Sequence, residues 1–228
     1  MRVSIHDAGS AGRSSWRAKR SSGSPAFGKA ARSLGPLRPA RCTSFVSASI
    51  TDPRLDGRAL SRIVYDADQI ARRVRELGAD LTAAYPEGEL LVLGLLKGSF
   101  IFLGDLVRQI ARPLQVDFLV AASYGDAMTS SGDVRLVYDA GTKLEGKHIL
   151  LVEDIVDSGR TLTRMLDLLS QRRPRSLEIC ALLHKRVAAH LSHPVRFVGF
   201  EAPNEFLVGY GLDHAEDFRH LPYIASLQ

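Results

Sequence analysis

Seven apolar or glycine positions in a row, Leu90–Leu96 (LLVLGLL), stand out against flanking segments in which apolar and charged residues alternate. A run this short and this uniformly apolar suits a strand buried on both faces better than a surface helix. Upstream, from Val64, the period is different. Ile70, Val74, Leu77 and Leu81 recur at spacings of four and three, which places them on one face of a helix. Asp66 stands at the N-cap position, and Pro86-Glu87-Gly88 supplies a stop. Downstream, Ser99–Ile110 reads as a helix, Gln115–Ala122 as a strand, His148–Val152 as a second buried strand and Thr161–Gln171 as a helix. Ser176–Leu183 and Arg196–Phe200 read as further strands. Strands alternating with helices predict an α/β fold built on an open, mainly parallel sheet flanked by helices.

Composition narrows the class. At 228 residues, 45% hydrophobic and 24% charged, the chain suits a soluble globular domain. It lacks any run of about 18 apolar residues, so no helical membrane span is expected. Its two cysteines, Cys42 and Cys180, lie far apart without C-x-x-C spacing, which argues against a disulfide framework or a zinc site. That usage suits a reducing compartment, and a cytoplasmic location is expected.

The net charge of +5 is unevenly placed. Residues 1–50 carry nine Lys/Arg and one acid, whereas the remaining residues carry 21 bases and 24 acids. The basic character therefore belongs to the first segment, and a nucleic-acid surface on the body is not expected. That segment is rich in Ser, Gly, Ala and Arg without sustained apolar periodicity, so residues 1–52 are expected to stay disordered. A solvated tail, a targeting segment and sequence upstream of the true start all remain open. Residues 53–228 form the expected domain.

The chemistry concentrates in Leu150–Leu162, LLVEDIVDSGRTL. In an open α/β sheet, ligands collect beyond the carboxyl ends of strands, and Glu153 and Asp154 are expected just past such an end. The turn from Asp157 to Thr161 then opens a helix, whose first backbone N–H groups favour a phosphate. Gly159 permits close approach, and Ser158 and Thr161 add hydroxyl donors. Acids beside a phosphate nest need partners of their own, and ribose hydroxyls and magnesium are the natural candidates. Capping alone explains one acid, not three.

VEDIVDSGRTL resembles the phosphoribosyl-diphosphate motif of type I phosphoribosyltransferases. Four further segments narrow the resemblance to the hypoxanthine-guanine phosphoribosyltransferases: Leu95–Phe100, Ser123–Asp139, Leu182–Arg186 and Phe206–Ile224. The resemblance implies the type I fold with a small hood from the chain ends. It also implies a magnesium-dependent purine-salvage transfer, with a 6-oxopurine and phosphoribosyl diphosphate as substrates and IMP or GMP plus diphosphate as products. A homodimer or homotetramer is expected by the same likeness, with no membrane or nucleic-acid partner.

Carried over by motif, Glu153 and Asp154 would hold the ribose hydroxyls, directly or through the metal. Asp157, Ser158, Gly159, Arg160 and Thr161 would hold the 5′-phosphate. Asp157 would also exchange a proton with the purine N7. Lys97 and Gly98 would form the diphosphate loop, next to a non-proline cis peptide; Ser99 stands where relatives often have a second glycine. Lys185 would donate to the purine 6-oxo group, Phe206 would stack on the base and the Leu207 backbone would read its edge. Asp213 would contact base and metal, and Arg219 the diphosphate. Ser123 and Tyr124 would open a mobile catalytic loop. Two other readings fit parts of the sequence: a phosphoribosyl-diphosphate sensor binding nucleic acid through the basic segment, and a xanthine- or pyrimidine-preferring relative.

Overall fold

The computed structural model describes residues 52–123, 134–157, 159–185 and 193–227. The basic segment up to residue 51, Tyr124 and Ser158 lie outside the described residues. After a 3-10 turn at Pro53–Leu55 come β1 (Leu60–Tyr65), α1 (Ala67–Ala84), β2 (Leu90–Leu96), α2 (Phe100–Val107), β3 (Gln115–Ser123) and β4 (Val134–Tyr138). Then follow β5 (His148–Val156), α3 (Arg160–Ser170), β6 (Ser176–Lys185), β7 (Val195–Ala202), β8 (Leu207–Val208) and β9 (Ile224–Leu227).

Helix α1 starts where its residues require. The Asp66 carboxylate accepts from the Gln69 backbone N–H at 2.8 Å, and the Gln69 side chain accepts from the Asp66 N–H at 2.9 Å. This reciprocal box satisfies donors that the helix itself leaves unpaired. Ile70, Val74, Leu77 and Leu81 are buried as their spacing predicts. Arg73 is buried with them because its guanidinium donates to the carbonyls of Gly199 and Val198, both at 2.9 Å.

The main sheet has the order β4-β3-β2-β5-β6-β7, parallel except for the β3–β4 edge pair. Side chains alternate across it. Leu90 and Val92 of β2 join Leu150, Val152, Cys180 and Leu182 under α1 and α2. Leu91, Leu93 and Leu95 join Ile149, Leu151 and Ile179 under α3, which contributes Met165, Leu166 and Leu169. The fold is the open α/β sheet expected, with both faces covered.

A second sheet, β1-β9-β8, is antiparallel and draws its strands from both ends of the described chain. It is the hood. Leu207, Tyr210, Leu212 and Ile224 join the same cluster as Val92 and Val152, so the hood is packed onto the sheet. Tyr65 of β1 stacks on Phe200 of β7 at 4.1 Å and donates its hydroxyl to the Glu201 carbonyl at 2.6 Å.

One expectation is corrected. Strand β5 does not end at Val152; it runs on to Val156, so Glu153 and Asp154 lie within the strand. Pairing with β2 stops at Gly94↔Val152, while pairing with β6 continues to Val156↔His184. The ladder to β6 holds the acids in strand geometry although their polarity suggests a strand end.

Candidate active site

From β2 the chain crosses to β3 on one side, and from β5 to β6 on the other. Strand order therefore reverses between β2 and β5, and the crevice outside their carboxyl ends is the expected ligand site of such a sheet. Lys97-Gly98-Ser99 follow β2 there, and Asp157 follows β5.

The Leu96–Lys97 peptide is cis, as the resemblance implied. Gly98 is pressed against β5: a Cβ at this position would lie 1.6 Å from Asp154 Oδ2. From the other side Gly211, at φ +104°, sits so close that its own Cβ would lie 2.1 Å from the Gly98 carbonyl oxygen. At Gly211 the obstacle is backbone and no side chain fits, whereas at Gly98 one fits only if the Asp154 carboxylate moves; the Lys97–Ser99 loop is gripped between strand and hood. Ser99 is buried and donates its hydroxyl to the Leu95 carbonyl at 2.6 Å, so this serine has both room and a partner.

Glu153 and Asp154 project to opposite faces, as neighbours on a strand do. Glu153 Oε2 is buried without a hydrogen-bond partner among the described residues. Burial, and then the Asp154 charge, push the Glu153 carboxyl well above the usual range. Burial also raises Asp154, whose Oδ1 accepts from the Ile155 N–H at 2.7 Å; Arg219 draws its pKa down and Asp213 pushes it up. Among the described residues no three acids, histidines or cysteines converge as a ready metal cage, so Glu153, Asp154 and Asp213 do not form one. The donor set still fits magnesium, which takes one or two carboxylates and completes its shell with substrate oxygens and water. An orphaned buried carboxylate oxygen is the kind of atom such a ligand or a ribose hydroxyl would satisfy.

Asp157, just beyond β5, accepts from the Lys185 ammonium at 3.1 Å, and Lys185 ends β6 next door. Lys185 is 16% exposed and Asp157 59%, so the cation is tucked in and the acid faces outward. Gly159 caps α3 at φ +73°, a left-handed conformation that favours glycine, and its carbonyl accepts from the Thr163 N–H at 2.8 Å. Arg160 and Thr161 open α3. Ser123 ends β3, opposite Val134 of β4.

The hood supplies the remaining groups. Phe206 is 56% exposed and meets His214 edge-on at 5.3 Å. Leu207 is buried in β8 opposite Ser226. Arg219 bonds the Gly211 carbonyl and Asp213 Oδ1, both at 2.8 Å, and approaches Glu216 Oε2 at 3.6 Å. Lys97 reaches that same Glu216 oxygen at 3.0 Å. Tyr210 donates to Asp105 of α2 at 2.7 Å, tying the hood loop to the helix that follows Lys97-Gly98-Ser99.

Residues 62–215 match the phosphoribosyl transferase domain family. A hypoxanthine phosphoribosyltransferase of Salmonella typhimurium is 45% identical over 161 residues, covering 70% of this chain and 90% of the relative. This chain belongs to the hypoxanthine phosphoribosyltransferase family. The hypoxanthine-guanine phosphoribosyltransferase of Dictyostelium discoideum is 44% identical over 170 residues, covering 73% of this chain and 94% of that protein. A crystal structure of a Staphylococcus aureus hypoxanthine phosphoribosyltransferase superposes with a TM-score of 0.71 at 39% identity, covering 74% of this chain and 92% of that one. These relatives are transferases by name, and the sensor reading gains nothing from them.

Within this phosphoribosyltransferase site, three contributors escaped the sequence reading. Gly211, Glu216 and the Asp105–Tyr210 pair are set by where loops return in space. The signal for Glu216 was its place inside the recognised Phe206–Ile224 segment; Asp105 carried none.

Proposed function

We propose that the chain is a purine-salvage enzyme that transfers the phosphoribosyl group of phosphoribosyl diphosphate to hypoxanthine or guanine. The bond from C1′ to diphosphate breaks, the bond from C1′ to purine N9 forms, and the purine's proton passes to a carboxylate. IMP or GMP and diphosphate leave. The observation that carries this reading is the Asp157–Lys185 pair, 3.1 Å apart at the carboxyl ends of neighbouring strands. One member accepts at N7 and the other donates to the 6-oxo oxygen, which fits a 6-oxopurine and mismatches the amine of adenine.

Around that pair the roles follow from position. Phe206, exposed on the hood, offers its ring to the base. The start of α3 at Gly159 presents backbone N–H groups to the 5′-phosphate. Lys97, Gly98 and Arg219 take the diphosphate, which charge-assisted hydrogen bonds stabilise as it leaves. Glu153 and Asp154 take the ribose hydroxyls. Magnesium, when bound through Asp154 or Asp213 and the substrate, would neutralise developing charge on the leaving diphosphate. The catalytic unit in this reading is residues 53–228, acting as a homodimer or homotetramer in the cytoplasm. Among the described residues no helix is long and apolar enough to cross a membrane.

The test is to mix the purified chain with phosphoribosyl diphosphate, magnesium chloride and each of hypoxanthine, guanine, xanthine and adenine. IMP and GMP should form, with adenine turned over poorly. Tight binding of phosphoribosyl diphosphate without any nucleotide product would overturn the reading in favour of a sensor.

A further inference from the structure

One oxygen of Glu216 faces two cations at once: Lys97 Nζ at 3.0 Å and an Arg219 nitrogen at 3.6 Å. Both cations belong to the diphosphate subsite proposed above. The position of the acid is built rather than incidental. The Glu216 backbone N–H donates to Asp213 Oδ2 at 2.9 Å, and Ala215 and Glu216 both hold left-handed backbone, at φ +52° and +66°. The bridge between His214 and Asp217 closes the turn around them. Arg219 is also held by Asp213 and by the Gly211 carbonyl, while its Nε is buried with no partner among the described residues.

From this geometry we propose that Glu216 is an exchange partner for diphosphate and so sets the affinity of that subsite; the proposal rests on the function proposed above. Glu216 and a bound diphosphate compete for the same two cations. Binding must break the two Glu216 contacts and replace them with bonds to diphosphate oxygens. Release is helped by the same carboxylate, which returns to Lys97 and Arg219 as diphosphate departs. Glu216 thus weakens binding of the substrate's leaving group and speeds clearance of the product. Asp213 does not share the role, because it meets Arg219 but not Lys97 in these contacts. Glu216 side chain and Lys97 side chain are each 66% exposed, so the exchange occurs at an accessible edge where solvent and salt moderate its size.

Glu216→Gln tests this. The amide keeps the shape and the backbone contact with Asp213 but removes the charge that competes. An exposed ion pair shifts an equilibrium by about one- to five-fold, so losing two should tighten diphosphate binding by about three- to ten-fold. The measurement is calorimetric titration of sodium diphosphate, with magnesium chloride present, into the parent chain and the variant. The KM for phosphoribosyl diphosphate should fall in parallel, the KM for hypoxanthine should stay put, and the gap between the proteins should narrow as salt is raised. Equal or weaker diphosphate binding by the variant would overturn the proposal and leave Glu216 as a strut that orients Lys97 and Arg219. Absence of diphosphate binding by the parent chain would instead overturn the functional reading beneath it.

Discussion

At its amino end β5 is paired on both flanks, with Leu90 opposite His148 on one side and Ser176 on the other. His148 Nδ1 lies 2.7 Å from the Ser176 hydroxyl and its ring packs near Tyr85, with centroids 5.4 Å apart. At its carboxyl end the same strand keeps only the β6 ladder and carries two acids, one with a buried orphaned oxygen and one pressed against Gly98. The residues between are apolar and almost fully buried, so the two ends are joined by a rigid core. What differs is satisfaction of the strand's own polar side chains: His148 has a partner, although the neighbouring Tyr85 hydroxyl is buried with none among the described residues. The end that is paired contributes to stability, and the end left under-satisfied is the one proposed to meet substrate.

The largest effect is expected at Asp157, just beyond the carboxyl end of β5. Asp157→Asn keeps the shape and the outward position but cannot take the purine's proton. Turnover should drop by about 10- to 10⁴-fold, the usual reach of a general acid or base. The melting temperature should hardly move, because the residue is mostly exposed. Steady-state kinetics and a thermal melt on the same sample check both halves. Unchanged turnover would reduce Asp157 to a tether for Lys185.

Next is Gly98→Ala. The added methyl meets the far end of the Asp154 side chain, so the carboxylate must swing away while the backbone stays. Misplacing a positioning group by about an ångström can cost about 100-fold, and kcat/KM for phosphoribosyl diphosphate should fall by that order. A loss confined to the purine KM would contradict the placement of Gly98 and Asp154 on the sugar-diphosphate side.

The two ends also differed in how far residues alone revealed them. The limits of Leu90–Leu96 and the capped α1 face from Ile70 to Leu81 are legible in the residues, because local period and capping chemistry determine both. The extension of β5 through Glu153–Val156 is not legible, since charged residues look like a strand's end and only the β6 ladder shows otherwise. Strand β1 and the limits of β8 and β9 are not legible either. They are short, and non-local pairing in the hood defines them. At the site, Lys97, Gly98, Asp154, Asp157, Lys185, Asp213 and Arg219 were named from motifs, and the structure brings Gly98 to Asp154 and Lys185 to Asp157. That Lys97 meets Glu216 across 119 positions of sequence had no local signature.

A smaller effect, of opposite sign for stability and activity, is expected at Glu153. Burial and the neighbouring Asp154 disfavour its charge, so Glu153→Gln removes a repulsion while preserving volume. A gain of about 1 kcal/mol corresponds to roughly 2–4 °C in melting temperature for a domain of this size. Activity should fall, because an amide is a poorer partner for ribose hydroxyls and metal. A lower melting temperature would mean that the carboxylate is favourably paired in the folded chain, and the contrast between the two ends of β5 would weaken.

The smallest effect belongs to the amino end and concerns pH. Burial first, then Arg175 and Arg112, lower the His148 pKa, with Glu87 and Glu178 opposing. The folded value therefore lies below the unfolded value of about 6.5. Between the two the unfolded chain binds the extra proton, so stability rises with pH across that window. The contribution is fully present above about 6.5 and is lost as pH falls through the lowered folded value. His184 shifts in the same direction through burial, against Glu201, so part of the slope belongs to it. His148→Asn can keep a hydrogen bond to Ser176 but does not titrate. Melting temperatures taken from about pH 7.5 to about pH 5 should fall less steeply in the variant than in the parent chain, a window that brackets the histidine value. Turnover near neutral pH should stay within about two-fold, since this end of β5 lies at the opposite end of the strand from the proposed site and changes away from such a site are usually small. Parallel slopes would show that His148 titrates alike in the folded and unfolded chain, and burial at the amino end of β5 would then impose no cost on its charge.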